Sequence, residues 1–589
     1  MAAPFLTARQ KRWDDRLESR SGHRRRYRRI YQGEIASMEF NLAQVFDALA
    51  DALDDRVCIK TAKVTRTYAE MGERTSRFAN ALRARGLSVH AERSDLANHE
   101  SGQDHVALYL HNCPEYLEGM IGSYKARAVP FNVNYRYVAE ELEYLFRDSN
   151  AKAVVFHSRF APTLADIRDR LPNLTVFFQV RDESENDLLE GAEWYEDALA
   201  EASPEIPEEL RASWSPDDLY ILYTGGTTGM PKGVLWRQAD IFCAAMGGRP
   251  YGSADELESV DAVVKQALGG GITILPAPPF MHGAAHWTAF ICFTQGGTIA
   301  LQGVVDRLDA VDMLTSIEQL GVNTIVLVGD AFARPIIDEI ERGDYDLSSL
   351  FVLTNGGAAM SVGVKSKLLE LLPTAMIIDG IGSSETGQQA YQVSSAGSEI
   401  ASGTFSPTPG ACVINDTFDA LISPDDDTVG WLGQRGRVPL GYLGDADKTS
   451  RTFPVIDGVR YSIPGDRAHY TLTGPIEVLG RDSVTINSGG EKIFAEEVEA
   501  ALAPHADVFD VVVCGRPSER WGNEVTAIVQ LREGAAADEA SLLAEAQRHI
   551  ARYKLPKAFV FVDKIERSPS GKADYRWAKG LAADDLNAS

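Results

Sequence analysis

The chain has 589 residues, room for more than one compact unit at about 100–200 residues per domain. Hydrophobic residues make up 44% and charged residues 24%, an ordinary globular composition that can bury a core without metals or disulfides. With 58 Lys+Arg against 84 Asp+Glu the formal charge is −26, which argues against general nucleic-acid binding and against a polybasic membrane-docking face.

Residues 1–37 stand apart. Ten Lys/Arg against four Asp/Glu give them a net +6, and they lack the apolar stretch of a secretory signal. They read as a basic, disordered extension from an over-extended start, because MEFNLAQVFDALADAL from Met38 reads as a domain start with an amphipathic first helix. From Asp104 strand and helix alternate. VALYL (106–110) reads as a strand, PEYLEGMIGSYKA (114–126) as a helix and AVPFNV (128–133) as apolar again. AEELEYLFRDS (139–149) is helical and AVVFH (153–157) a strand. This alternation predicts βαβ units around a parallel sheet. Twelve Asp/Glu crowd residues 182–209, which read as a solvated loop and helix rather than an acidic docking surface.

LYILY (219–223) is a further strand, and NTIVLVG (323–329), SLFVLTNGG (349–357) and TAMIIDGIG (374–382) continue the αβ pattern. Past residue 480 the character changes. GRDSVTINSGGEKIFAEEVEAAL (480–502) runs from turn-rich strand into helix; VFDVVVCG (508–515), EVTAIVQL (524–531) and AFVFVDKI (558–565) read as strands, and SLLAEAQRHIARY (541–553) as a helix. The fold class is therefore α/β: a large N-terminal αβ domain with parallel-rich sheets (38–480), a hinge at 481–483, and a small mobile α+β C-terminal domain (484–589). No stretch of about 18 apolar residues predicts a transmembrane helix. The cysteines (Cys58, Cys113, Cys243, Cys292, Cys412, Cys514) form no CxxC pair, so neither a zinc site nor a disulfide framework is predicted, and reduced cytoplasmic thiols fit.

The strongest chemical signal is YTGGTTGMPKG (223–233), directly after a strand. Gly225, Gly226 and Gly229 permit positive φ and close backbone approach, Thr224, Thr227 and Thr228 bring hydroxyl donors, and Lys232 brings a positive charge. Together they suit a loop that wraps polyphosphate oxygens. It is not a Walker A loop, because Lys232 precedes Gly233 rather than Ser/Thr. DGIGSSETG (379–387) places the carboxylate of Glu385 and the hydroxyls of Ser383, Ser384 and Thr386 on a Gly-rich turn, which near polyphosphate suits a Mg²⁺ ligand. A GxGxxG reading fails there because residue 385 is Glu, and a GxSxG elbow fails because residue 386 is Thr. NGGAAM (355–360) alone would be a turn against which a flat base could lie. Asp466 in YSIPGDRA could accept both hydroxyls of a ribose, and Arg481 follows in GRDS, although an isolated Asp in a turn is ordinarily structural. RSPSGKADYR (567–576) carries Lys572, where a lone lysine is ordinarily just solvated. PAPPFMHGAAHW (276–287) holds His282 and His286, and a lone histidine is ordinarily a satisfied structural one.

In this order and over residues 41–580, these segments resemble the adenylate-forming superfamily of acyl-CoA synthetases, luciferases and adenylation domains. The resemblance implies that Thr224, Gly225, Gly226, Thr227, Thr228, Gly229 and Lys232 grip the ATP phosphates, and that Glu385, with Thr228, holds Mg²⁺. It puts Ser384 near the α-phosphate. Gly356, Gly357, Ala358, Asp379, Gly380, Ile381 and Gly382 fall around adenine, with Ile381 where an aromatic often stacks. Asp466 and Arg481 would take the ribose, in a Pro-Gly-Asp rather than the usual Thr-Gly-Asp. Lys572 would be the catalytic lysine that meets the acyl carboxylate and the α-phosphate, and His282 would lie near that carboxylate and the pantetheine tunnel; His286 is given no site role. The hinge would fall at Ser483, where Asp or Lys is commoner; Gly489 and Gly490 would line the coenzyme A tunnel. Trp287, Val328 and Gly329 would line the acyl pocket, together with neighbours such as Phe280, Phe290 and Phe332.

The function so implied is an ATP-dependent, AMP-forming acyl-CoA synthetase. The IGSSETG form is most similar to bacterial fatty-acyl and steroid-side-chain synthetases, so a medium- or long-chain fatty acid or a sterol side-chain acid is the expected substrate. ATP, Mg²⁺ and coenzyme A accompany it, and a homodimer in the cytoplasm is compatible with the sequence. Two alternatives stay open: an adenylating enzyme that loads a carrier protein in trans, since no carrier motif follows Lys572, and a catalytically weakened nucleotide- or acyl-binding member.

Overall fold

The computed structural model describes residues 39–588 apart from 225–229, 251, 399, 401–402, 472–473, 489–490, 519–520 and 568–570. The basic extension, the centre of the 223–233 loop and the glycines at 489 and 490 lie outside the described residues.

The amphipathic first helix forms over Leu42–Leu53. Asn41 caps it, its side chain accepting the Gln44 N–H at 3.1 Å, and Leu42, Val45, Phe46, Leu49 and Leu53 bury one face at helical spacing. The alternation after Asp104 becomes a five-stranded, all-parallel sheet. Its order is Val129–Asn132, His105–Tyr109, Ala151–His157, Val176–Val180, Glu193–Trp194. Strands covered on both faces carry no polar alternation, which is why they read as plain apolar runs.

A larger sheet has a parallel core in the order Val57–Lys60, Thr298–Ala300, Thr273–Pro276, Thr324–Leu327, Val352–Gly356, Met376–Ser383. It turns antiparallel at Gly387–Ser395 and continues through Thr404–Pro407 to the hairpin of Asp466–Tyr470 and Ile476–Arg481. A separate hairpin, Leu219–Thr224 and Lys232–Arg237, pairs Thr224 with Lys232 across the mouth of the glycine-rich loop.

Residues 486–562 build their own five-stranded sheet around Gly522–Leu531 and Val508–Ser518, with Ala558–Val562 adding in parallel. The helix predicted over 541–553 spans only Glu539–Ala546. Between Ala546 and Tyr553 only Ile550 packs against this core, and Pro556 bars further helix.

One polar row locks the register of the larger sheet. Asn355, Asp379 and Gln392 are direct neighbours on three adjacent strands. Lys365, from the covering helix Val362–Leu371, inserts its ammonium 2.5 Å from Asp379 Oδ2 and donates to Gln392 Oε1 at 3.0 Å. Asn355 donates to Asp379 Oδ1 at 2.6 Å. Lys365 is 1% exposed and Asp379 6%. Removing one partner would leave the other charge buried and unpaired. Asp379→Ala is therefore expected to destabilise the nucleotide-free protein by about 3–5 kcal/mol, measured by urea unfolding, with Asp379→Asn less harmful.

Candidate active site

The turns that follow the parallel strands open on one side of the larger sheet, the side where ligands bind in open α/β folds. After Thr324–Leu327 the chain enters the helix Gly329–Arg342 through Gly329 at φ 59°, where an added Cβ would come 2.5 Å from the Ala359 carbonyl oxygen. Asn355 Oδ1 accepts the Gly329 N–H at 2.6 Å, so the register row also fixes this turn. After Val352–Gly356 the chain turns at Gly357, φ 84°, and a Cβ there would lie 3.7 Å from Lys572 Cε. The small residues at 356–358 thus leave a shelf, and the C-terminal lysine lies across it.

Glu385 is buried at the next turn. Its Oε1 accepts the Tyr442 hydroxyl at 2.8 Å, and its carbonyl accepts the Ser462 hydroxyl at 2.6 Å. The neighbouring Ser384 carbonyl accepts the Trp236 N–H at 2.8 Å. Lys232 sits 3.5 Å from Asp445 Oδ2. Partial burial works against its charge, but Tyr144, Asp148 and Asp445 outweigh this and hold the ammonium above the ordinary lysine range.

Asp466 and Arg481 face each other in register across the hairpin, with an ion pair at 3.4 Å. That carboxylate is the main reason the Arg481 guanidinium is held above its ordinary value. Lys572 is exposed, on the turn that lies against Gly357. Desolvation and the Arg481 charge pull its ammonium below the usual lysine range, against Glu385 and Asp466. His282 stands at the start of the helix Gly283–Thr294 with Nε2 buried and without a hydrogen bond. Burial, then the Lys572 charge, pushes it down to about 3, so the ring is neutral at any working pH. The fold therefore brings Lys572, Gly357, Glu385, Asp466, Arg481 and His282 around one cleft.

Other expected residues also have partners within the fold. The Asp379 side chain points to Lys365 and Asn355. Trp287 donates to the Tyr220 hydroxyl at 2.8 Å, which also meets His286 Nε2 at 2.5 Å. Val328 is buried in the core that includes Phe332, and Gly571 rests on both, at 3.1 and 3.4 Å from where its Cβ would be. Ile381 packs with the apolar cluster of Val413, Leu432 and Ala468. Ser483 falls in the single turn Asp482–Val484 between the two units.

Sequence reasoning missed Tyr442, Asp445, Asn355 and Glu496. Glu496, from the helix Ala495–Leu502, lies against Gly480 and accepts the Arg481 N–H at 3.5 Å through Oε1, while Oε2 is buried without a hydrogen-bond partner. Burial pushes this carboxyl from the ordinary 4.5 up to about 7.

The AMP-binding enzyme family matches residues 46–419, and the AMP-binding enzyme C-terminal domain matches residues 497–572. The chain belongs to this family. It is 52% identical over 546 residues to the medium-chain acyl-CoA ligase Mig of Mycobacterium avium, covering 92% of this chain and 98% of that one. It is 39% identical over 562 residues to a medium/long-chain-fatty-acid–CoA/3-oxocholest-4-en-26-oate–CoA ligase of Mycobacterium marinum, covering 94% and 99%. Its place in the family is among the acyl-CoA synthetases. The fold is similar to that of the anthranilate CoA ligase AuaEII in complex with anthranoyl-AMP (TM-score 0.78, 19% identity, covering 93% of this chain and 98% of that one). It is also similar to ATP-bound MatB from Rhodopseudomonas palustris (TM-score 0.75, 23% identity, covering 92% and 99%).

Two outcomes follow from this geometry. Lys572→Ala is expected to cost adenylation about 10²–10³ in rate while thioester formation from added acyl-AMP stays largely intact, measured as separate half-reactions. Glu496 is a carboxyl raised in this orientation, so its contribution is complete below pH 4.5 and is lost as pH rises through about 7. Its charge there would face Asp466 and Arg481 across the contact and Glu499 on its own helix. Adenylation should then fall between pH 4.5 and about 7 by at most about tenfold per pH unit and level off above that range, and Glu496→Gln should flatten that limb of the pH–rate profile.

Proposed function

We propose that the enzyme activates a medium- or long-chain fatty acid, or a sterol side-chain acid, as an acyl-adenylate and passes the acyl group to coenzyme A. The observation that carries this reading is the meeting of Lys572 with Glu385, Asp466 and Arg481 in one cleft. An acid carboxylate and ATP are both anions, and charge builds on the α-phosphate as they join. A preorganised ammonium at Lys572 offsets both costs, and Arg481, fixed by Asp466, holds the nucleotide end. The carboxylate oxygen bonds to the α-phosphorus as the bond to the β-phosphate oxygen breaks, and diphosphate leaves. The coenzyme A thiol then attacks the acyl carbon and AMP leaves. No protein nucleophile is required, and the neutral His282 can orient a carboxylate by donating its one ring N–H in a hydrogen bond but does not serve as a general acid.

Glu385 suits Mg²⁺. Among the described residues no three His, Cys, Asp or Glu gather as a self-sufficient metal site, and a single carboxylate completed by phosphate oxygens and water is the usual Mg²⁺ arrangement. When bound, the ion would neutralise phosphate charge. Thr228, the other expected ligand, lies outside the described residues. The expected acyl-side residues Phe280, Phe290, Val328 and Phe332 are all apolar and offer no charged selector, which supports a broad range of aliphatic acids, at about 1–3 kcal/mol per methylene. All six cysteines are free thiols, which supports a reducing cytoplasmic compartment.

The test is mass spectrometry of products after incubation with ATP, Mg²⁺, coenzyme A and pooled short to long fatty acids, aryl acids and sterol side-chain acids. Acyl-CoA from the aliphatic or sterol acids is expected. Acyl-AMP without acyl-CoA would overturn the reading in favour of a carrier-protein loader.

A further inference from the structure

A lysine outside every motif above stands beside the proposed phosphate site. Lys448 lies on the short helix Ala446–Thr452, half-buried, with Nζ 4.1 Å from the centroid of the Tyr442 ring. The hydroxyl of the same Tyr442 donates to Glu385 Oε1 at 2.8 Å. Asp445 joins the two lysines: its Oδ2 is 3.5 Å from Lys232 Nζ, and its Oδ1 accepts the Lys448 backbone N–H at 2.9 Å. The Lys448 ammonium itself makes no ion pair or hydrogen bond with a described residue, and the face of Tyr442 is its contact.

A half-desolvated ammonium is costly to keep beside other cations. Burial, with the charges of Lys232 and Arg451, pulls Lys448 below the ordinary lysine range, against Glu385 and Asp445. An aromatic face offsets only part of that cost. The three N–H donors want an anion, and one that also satisfies Lys232 and a cation on Glu385 must carry several charges spread over several oxygens. A diphosphate has that form.

We propose that Lys448 binds the β,γ-diphosphate of ATP, and therefore the diphosphate that leaves, with Tyr442 as a positioning residue that orients Glu385 by its hydroxyl and Lys448 by its ring. The inference rests on the reading that puts the ATP phosphates between Lys232 and Glu385. As the acid oxygen bonds to the α-phosphorus and the bond to the β-phosphate oxygen breaks, the electron pair passes to the diphosphate, and the Lys448 ammonium meets the charge that develops there. AMP, not diphosphate, leaves in the thioester step, so Lys448 acts on one half-reaction only.

The experiment uses the full-length enzyme with Lys448→Ala and Lys448→Arg. It measures KM for added pyrophosphate in ATP formation from acyl-AMP, and separately the rate of thioester formation from acyl-AMP and coenzyme A. Lys448→Ala should raise KM for pyrophosphate about 10- to 100-fold, the effect of losing a hydrogen bond to a charged group. Lys448→Arg should recover most of that loss, and thioester formation should stay within about twofold of the unsubstituted enzyme. If the alanine variant melts early, the similarly long and uncharged Lys448→Met carries the same readout. Lys232→Ala, run alongside, reports on the phosphate site itself. An effect of Lys232→Ala with none of Lys448→Ala overturns the assignment of Lys448 alone; no effect of either overturns the phosphate site as well. Equal loss of both half-reactions in Lys448→Ala at an unchanged melting temperature would mean a structural role through Tyr442, and would overturn the proposal.

Discussion

The active side of the molecule depends on one buried ion pair. Lys365 and Asp379 meet where three strands carry Asn355, Asp379 and Gln392 in register. A surface pair such as Lys63–Glu183, with side chains 81% and 80% exposed, adds about 0–1 kcal/mol and fixes nothing. The buried pair is different in kind. Its net stability against an apolar substitute can be small, but a slip of register would strand a charge in the core. Because Asn355 also takes the Gly329 N–H, the same row sets where the strands end and where the turns at 328–329 and 356–358 stand.

The site then works by charge at short range. The chain carries a net −26, so a polyanion meets no overall attraction. Screening reduces that field beyond about 10 Å in ordinary salt, and contact geometry decides the rest. Lys232, Lys448, Arg481 and Lys572 come from distant parts of the sequence, and Asp445, Glu385 and Asp466 are interleaved with them. The acids keep the cations from scattering one another while their own number stays below what would repel a nucleotide. Two of the acids, Asp445 and Asp466, are tied to named cations, whereas the Glu385 carboxylate is hydrogen-bonded, among the described residues, by neutral Tyr442.

Much of this was legible in the sequence. The parallel strands around 105–180 and 324–383 are covered on both faces, so they read as apolar runs and were placed within a few residues. Glu385, Asp466, Arg481 and Lys572 sit in short segments with distinctive glycines, and these segments converge. What was not legible is long-range. Nothing local tells that Asp379, inside a nucleotide-type motif, turns its carboxylate to a helix lysine fourteen positions earlier. Tyr442 shows no signal because its partner, Glu385, is 57 residues away. The helix predicted to Tyr553 stops at Ala546 because its last turns have too little to bury. The bond from the Trp287 indole N–H to the Tyr220 hydroxyl is likewise illegible locally, because the two residues lie 67 positions apart.

The seat of Gly571 on Val328 and Phe332 bears on how such an enzyme measures its substrate. These two side chains belong to the large unit, and the turn that covers them belongs to the small one. If the small unit swings between half-reactions and these side chains bound the acyl pocket, that wall is complete only while Lys572 is in place. Selection among acids would then be exercised once, at adenylation. An acyl-adenylate that has been accepted would face a looser enclosure when the thiol arrives, so misfit acids would be refused at entry rather than rejected afterwards.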